Sequence, residues 1–162
     1  MPSGKTHDKI TQFGTPVTAI ALGVATADPW VAAVTAVGFS FGGFMLSPDL
    51  DIYSLPYKRW GPLRFIWLPY RKLCGRHRSP LSHAPVIGTL GRLFWLTALF
   101  VIPLIVASAI AQRFLFPDLS LLLPHTRLLG FWVLSVELSA LSHIIPDHLV
   151  SEHKQRHRRN RH

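Results

Sequence analysis

The sequence predicts an all-α protein: a membrane-embedded bundle of about four helices carrying one large basic, aromatic-rich interfacial loop. Three observations carry that expectation. Hydrophobic residues make up 49% of the 162 positions and the mean hydropathy is +0.29, too apolar for an ordinary soluble basic protein. The apolar residues fall in long runs separated by short polar, proline-bearing segments. The net charge of +9 collects on one side of the topology that those runs imply.

The elements follow in order. A polar start, Met1 to Lys9, leads into an apolar stretch from Ile10 to Ala27, and Asp28-Pro29 breaks it. A second apolar run, Trp30 to Leu46, ends at Ser47-Pro48, because proline biases the residue before it away from helical geometry. Residues 52–82 read as a loop in which Trp and Tyr sit at headgroup level and Lys and Arg reach lipid phosphates. Leu93 to Ile110 is the clearest spanning segment, with Pro103 as a kink point, and Leu128 to Ile145 is the fourth. The frame is one membrane-embedded domain over 1–150 and a basic, histidine-rich tail over 151–162. Lys5, Lys9, the first apolar stretch and Ala25-Thr26-Ala27 also resemble a secretory signal peptide, but threonines and glycines dilute the stretch.

Four antiparallel segments put both termini and the 47–92 region on one face. Lys5, Lys9, Lys58, Arg59, Arg64, Arg71, Lys72, Arg76, Arg78, Arg92 and the basic tail share it, whereas Arg113 and Arg127 lie opposite. The positive-inside rule makes the crowded face cytoplasmic, in the plasma membrane or an internal one. The expected partners are membrane lipids with anionic headgroups, with a protein partner also open to the basic loop. No nucleic acid is expected, since the basic tail carries no folded recognition element.

Potential metal ligands occur in four clusters: His7-Asp8, Asp49 with Asp51, His77 with His83, and His143 with Asp147 and His148. All fall on that same face, although the topology was drawn without them. A carboxylate pair just beyond an apolar helix is costly unless a cation neutralises it, and a divalent ion does so. Solvated carboxylates answered by Lys58 or Arg59 are the plainer alternative. His77 and His83 converge only if the chain between them is irregular, and Arg78 between them suits an anion such as phosphate. His143 and Asp147 share a helical face if the helix passes Pro146; otherwise they meet around a turn, or His143 bonds within the bundle and Asp147 caps or pairs. The single cysteine, Cys74, excludes an internal disulfide and a thiolate zinc site. Imidazole with carboxylate suits a divalent ion, zinc or manganese above all, and the ligand count suffices for two ions. His125, His153, His157 and His162 read as loop or tail, and Glu137 as either a functional intramembrane acid or one paired with Ser135 or Ser139. Phe41-Gly42-Gly43-Phe44 reads as small residues for close helix packing.

Several segments together carry a resemblance: Pro2 to Asp8, Leu46-Ser-Pro-Asp49-Leu-Asp51, Tyr57 to Arg64, Trp67 to Lys72, and His77-Arg-Ser-Pro-Leu-Ser-His83. They resemble a largely cyanobacterial family of uncharacterised metal-binding membrane proteins, and more remotely the inner-membrane metal-dependent hydrolases. The resemblance implies a membrane location and metal-ligand roles for His7, Asp49, Asp51, His77, His83, His143 and Asp147. Two functions follow as expectations. One is a metal-dependent hydrolase of phosphoester or lipid substrates, with Arg78 as the catalytic cation. The other is a non-enzymatic scaffold or assembly protein with a structural metal.

Overall fold

The computed structural model describes residues 3–113 and 115–159, with side chains through residue 152. Among the described residues it is helical without strands: α1 (Gly4–Thr26), α2 (Pro29–Phe44), α3 (Leu55–Arg59), α4 (Leu68–Cys74), α5 (Pro80–His83), α6 (Ile87–Ala111) and α7 (Thr126–Arg159). Three 3-10 segments, Pro48–Asp51, Gly61–Trp67 and Leu119–His125, fill the connections.

Local chemistry explains the starts and stops. The Ser3 hydroxyl accepts from the Thr6 amide to cap α1, and Ala27 closes it in the left-handed conformation. Asp28 then accepts from the Trp30 amide while Pro29 opens α2. The region expected to be a loop, 52–82, is instead a chain of short helical pieces. Pro56, Pro62, Pro69 and Pro80 each sit in a first turn, where the missing amide costs nothing. Nor do its aromatic side chains all face outward. Tyr57, Trp67 and Tyr70 are buried with Leu46, Leu50 and Val136, while Trp60 and Trp95 donate their indole N–H groups to the Met45 and Ile66 carbonyls. The segment thus forms the main apolar core beneath one end of the bundle, because three large rings bury more area there than they would at a headgroup surface.

α2 packs along α1 on one side and α7 on the other. Its adjacent glycines serve opposite neighbours: a Cβ on Gly42 would meet Val136 and Ser139 of α7, and one on Gly43 would strike Thr11 of α1. Close packing at this pair is thereby seen in both directions. α7 runs 34 residues from Thr126 to Arg159 and passes through Pro146. α6 begins at Ile87, earlier than its apolar core suggests, and holds to the rest chiefly at that first end; its long apolar window is unburied.

Among the described residues three helical stretches are long and apolar enough to cross a membrane: 29–51, 87–111 and 119–152. α1 is not one of them, so of the four expected membrane helices three have the length and apolar composition of a span. Its threonines and the Lys5, Asp8, Lys9 and Gln12 side chains dilute it, and it owes its place to packing against α2.

Candidate metal centre

Each ligand cluster arrives from a different element at the same end of the bundle. His7 comes from the first turns of α1, and Asp49 and Asp51 from the 3-10 segment after α2. His77 precedes α5, His83 ends it, and α7 contributes His143 and Asp147. The unbroken passage of α7 through Pro146 settles the open question there. His143 and Asp147 lie one turn apart on one face.

Two groups result. His7, His143 and Asp147, all buried, offer one ligand atom each within 4.8 Å of one another, and so do Asp49, His77 and His83. In the first, His7 Nε2 lies 3.2 Å from Asp147 Oδ1 and the His7 and His143 rings stack at 3.7 Å. In the second, His83 Nε2 is 3.7 Å from Asp49 Oδ1 and the His77 and His83 rings meet edge-on at 5.0 Å. Asp49 joins them, for its Oδ1 is also 3.3 Å from His143 Nε2.

Polar atoms in both groups are unsatisfied. His7 Nδ1, Asp49 Oδ1, His77 Nε2, His83 Nε2 and His143 Nε2 are buried without a hydrogen-bond partner. Five such buried atoms are costly unless water or a cation satisfies them, and a cation answers imidazole lone pairs and a carboxylate together. The opposite ring nitrogens are held from behind. Asp51 Oδ1 lies 3.0 Å from His77 Nδ1, Ser82 Oγ lies 2.9 Å from His83 Nδ1, and Ser47 Oγ lies 3.3 Å from His143 Nδ1. With Nδ1–H donating backward, each Nε2 lone pair faces the junction, the tautomer that metal ligation needs. Burial, then the neighbouring His143, lowers the His7 pKa. The chemistry of the donor set, imidazoles with carboxylates, fits a divalent transition ion.

Asp51 stands one step back from both groups. Its Oδ2 accepts from Ser82 Oγ at 2.7 Å and from the Arg78 amide at 3.2 Å, and its Oδ1 faces His77. Arg78 is likewise engaged, donating Nη2 to Asp147 Oδ2 at 2.7 Å and Nη1 to Ser151 Oγ at 3.0 Å. Asp8 pairs with Arg59 and His148 is exposed, so neither joins a group. His125 is exposed in a connection; the side chains of His153, His157 and His162 lie outside the described residues. Burial pushes the Cys74 thiol up.

Several contributors were invisible to motif reading. Ser47 and Ser82 orient ligands, and their only sequence signal is adjacency to Pro48-Asp49 and His83. Arg92, fully buried at the start of α6, donates to the Ser82 carbonyl at 2.7 Å and to Thr89 Oγ1 at 3.0 Å. A lone arginine entering an apolar helix was its signal. Glu137 accepts the Val86 amide at 3.0 Å, pinning the start of α6 where Val86 takes a positive φ of 65°.

A family model described as "Uncharacterized metal-binding protein (DUF2227)" matches residues 2–157. An "Uncharacterized protein" of Aquifex aeolicus (strain VF5) is 46% identical over 61 residues, covering 37% of this chain and 42% of that relative. The match thus spans less than half the relative's length. No solved structure matches.

Proposed function

This chain belongs to the family of uncharacterized metal-binding proteins that matches nearly its whole length, and from that premise we propose that it is an integral membrane hydrolase of phosphoesters using two divalent ions. His7, His143 and Asp147 would hold one ion and Asp49, His77 and His83 the other, with zinc or manganese the chemically apt choices. The observation that carries this reading is Asp49 Oδ1, unsatisfied and lying between His143 Nε2 at 3.3 Å and His83 Nε2 at 3.7 Å. A carboxylate shared by two ligand groups is the arrangement expected of a paired-ion site.

Bound ions would supply a polarised phosphoryl oxygen and a water acidic enough to attack near neutral pH. The protein's own part is positioning. Asp51, Ser82 and Ser47 orient the imidazoles, and Arg78 neutralises Asp147 from behind. With Asp49 shared, the His7, His143 and Asp147 group would have four protein ligands and the Asp49, His77 and His83 group three, so the open coordination position that favours catalysis over a structural staple would fall on the second ion. The resemblance to inner-membrane metal-dependent hydrolases points the same way. Membrane integration is favoured by the three long apolar stretches and the unburied α6, and the basic residues around the ligand-bearing end favour its placement on the cytoplasmic side.

The test is elemental analysis of detergent-purified protein followed by turnover of a phosphomonoester in the presence of zinc or manganese. Close to two equivalents of metal and turnover abolished by chelation are expected. Bound metal without turnover on any phosphoester would sink the hydrolase and leave the staple; protein that stays metal-free after reconstitution would sink both.

A further inference from the structure

Beside the ligand groups lies a cavity of about 290 Å³ between the first turns of α1 and the chain from Asp49 through α3. His7 and Asp49 form part of its inner wall; Tyr53, Leu55 and Lys58 line its outer part. Arg78 is not among its lining residues. Its size falls near the lower bound of small-molecule sites, roughly 300 Å³, so it suits a compact head and not a whole lipid.

The charges lining it sum in one direction once an ion is bound. Asp8 is answered by Arg59, and Asp49 belongs to the metal groups. What remains on the lining is Lys58, whose ammonium lies 4.9 Å over the Tyr53 ring; Arg64 flanks the same ring, its guanidinium 6.0 Å from the centroid and 3.4 Å from the phenol oxygen. Tyr53 with two cations near its ring gives the cavity a positively charged rim next to unsatisfied ligand atoms. Arg78, the cation singled out by sequence, has both terminal nitrogens committed to Asp147 and Ser151.

We infer that this cavity is the substrate site, that it takes a phosphate monoester group, and that Lys58 on Tyr53, not Arg78, recognises the anion. The inference rests on the metal-centre reading and adds its substrate side. The phosphate enters past Tyr53, meets the ammonium of Lys58 and presents its inner oxygens to the Asp49 side.

The experiment titrates orthophosphate into metal-loaded protein by calorimetry, with metal content measured on every sample. Lys58→Met retains the apolar stem; it should keep its metal and bind phosphate about tenfold more weakly, the worth of one charge-assisted hydrogen bond. Lys58→Arg should stay within about threefold of wild type, and Leu55→Trp, which fills the cavity, should abolish binding. Metal-loaded Lys58→Met and Leu55→Trp that both bind phosphate like wild type would overturn the inference. Lys58-dependent phosphate binding by wild type that holds no metal would keep the anion site and sink only the metal reading; no binding by such protein would sink both. Phosphatidate in mixed micelles that competes with orthophosphate would identify the monoester as a lipid headgroup, and absence of competition would identify it as a free phosphomonoester.

Discussion

The two ligand groups sit side by side yet are built in opposite ways. His7, His143 and Asp147 project from long helices that α2 locks together, so their spacing is a consequence of helix packing. Asp49 and His83 stand on short, proline-started pieces and His77 in the turn before the second of them, and their positions depend on the Trp67 core and on hydrogen bonds such as Tyr70 Oη to the Leu81 carbonyl at 2.9 Å. The first group therefore answers to the bundle and the second to a folded connection. What the difference teaches is that one centre can draw its rigidity from two independent sources, joined at a single carboxylate.

Asp49→Asn should break the comparison most. It removes the shared charge, so its metal content should fall below that of either His7→Ala or His77→Ala, each expected to lose about one equivalent. Elemental analysis of the three variants decides it; equal losses in Asp49→Asn and His77→Ala would mean the groups are not coupled through Asp49.

Gly42→Val comes next and addresses the helical group alone. A Cβ there lies 3.1 Å from Val136 O and 3.0 Å from Ser139 Cβ, so α7 must retreat from α2. A loss of about 1–3 kcal/mol is expected in detergent unfolding, together with weaker metal retention at the His143 side. Wild-type stability would show that the approach of α2 to α7 is looser than the packing implies.

A smaller, pH-dependent effect follows from His7. Its folded pKa lies below the ordinary value of 6.5, chiefly through burial, so between the two values the unfolded chain binds more protons. The contribution of a neutral His7 is therefore fully present above pH 6.5 and is lost as pH falls through the folded pKa. Unfolding of metal-free protein across that window should show the loss, and His7→Gln should flatten it.

Pro146→Ala should change least. α7 already passes this position without ending, so restoring the amide should leave metal content intact and stability equal or slightly higher. Loss of metal would mean that the proline itself sets the separation of His143 and Asp147.

The helical group was partly legible beforehand, since the i, i+4 spacing of His143 and Asp147 states a shared face outright once the helix is known to continue. The second group was legible as residue types and not as geometry: six positions of irregular chain between His77 and His83 predict no distance. The 52–82 segment was misread because proline was weighed as a breaker, while at the first turn of a short helix it is a starter. Ser82 and Arg92 escaped because their roles are defined by partners 31 and 10 residues away.

Sequence alone determined that the chain is helical and that the candidate His and Asp ligands collect at one end, because hydropathy periodicity and charge asymmetry are local properties read residue by residue. Tertiary structure decided that α1 is a packed companion of α2, that aromatic rings of the connection form the core, and that Asp49 bridges two ligand groups. Those outcomes depend on distances between segments far apart in the chain, and packing, not pattern, sets such distances.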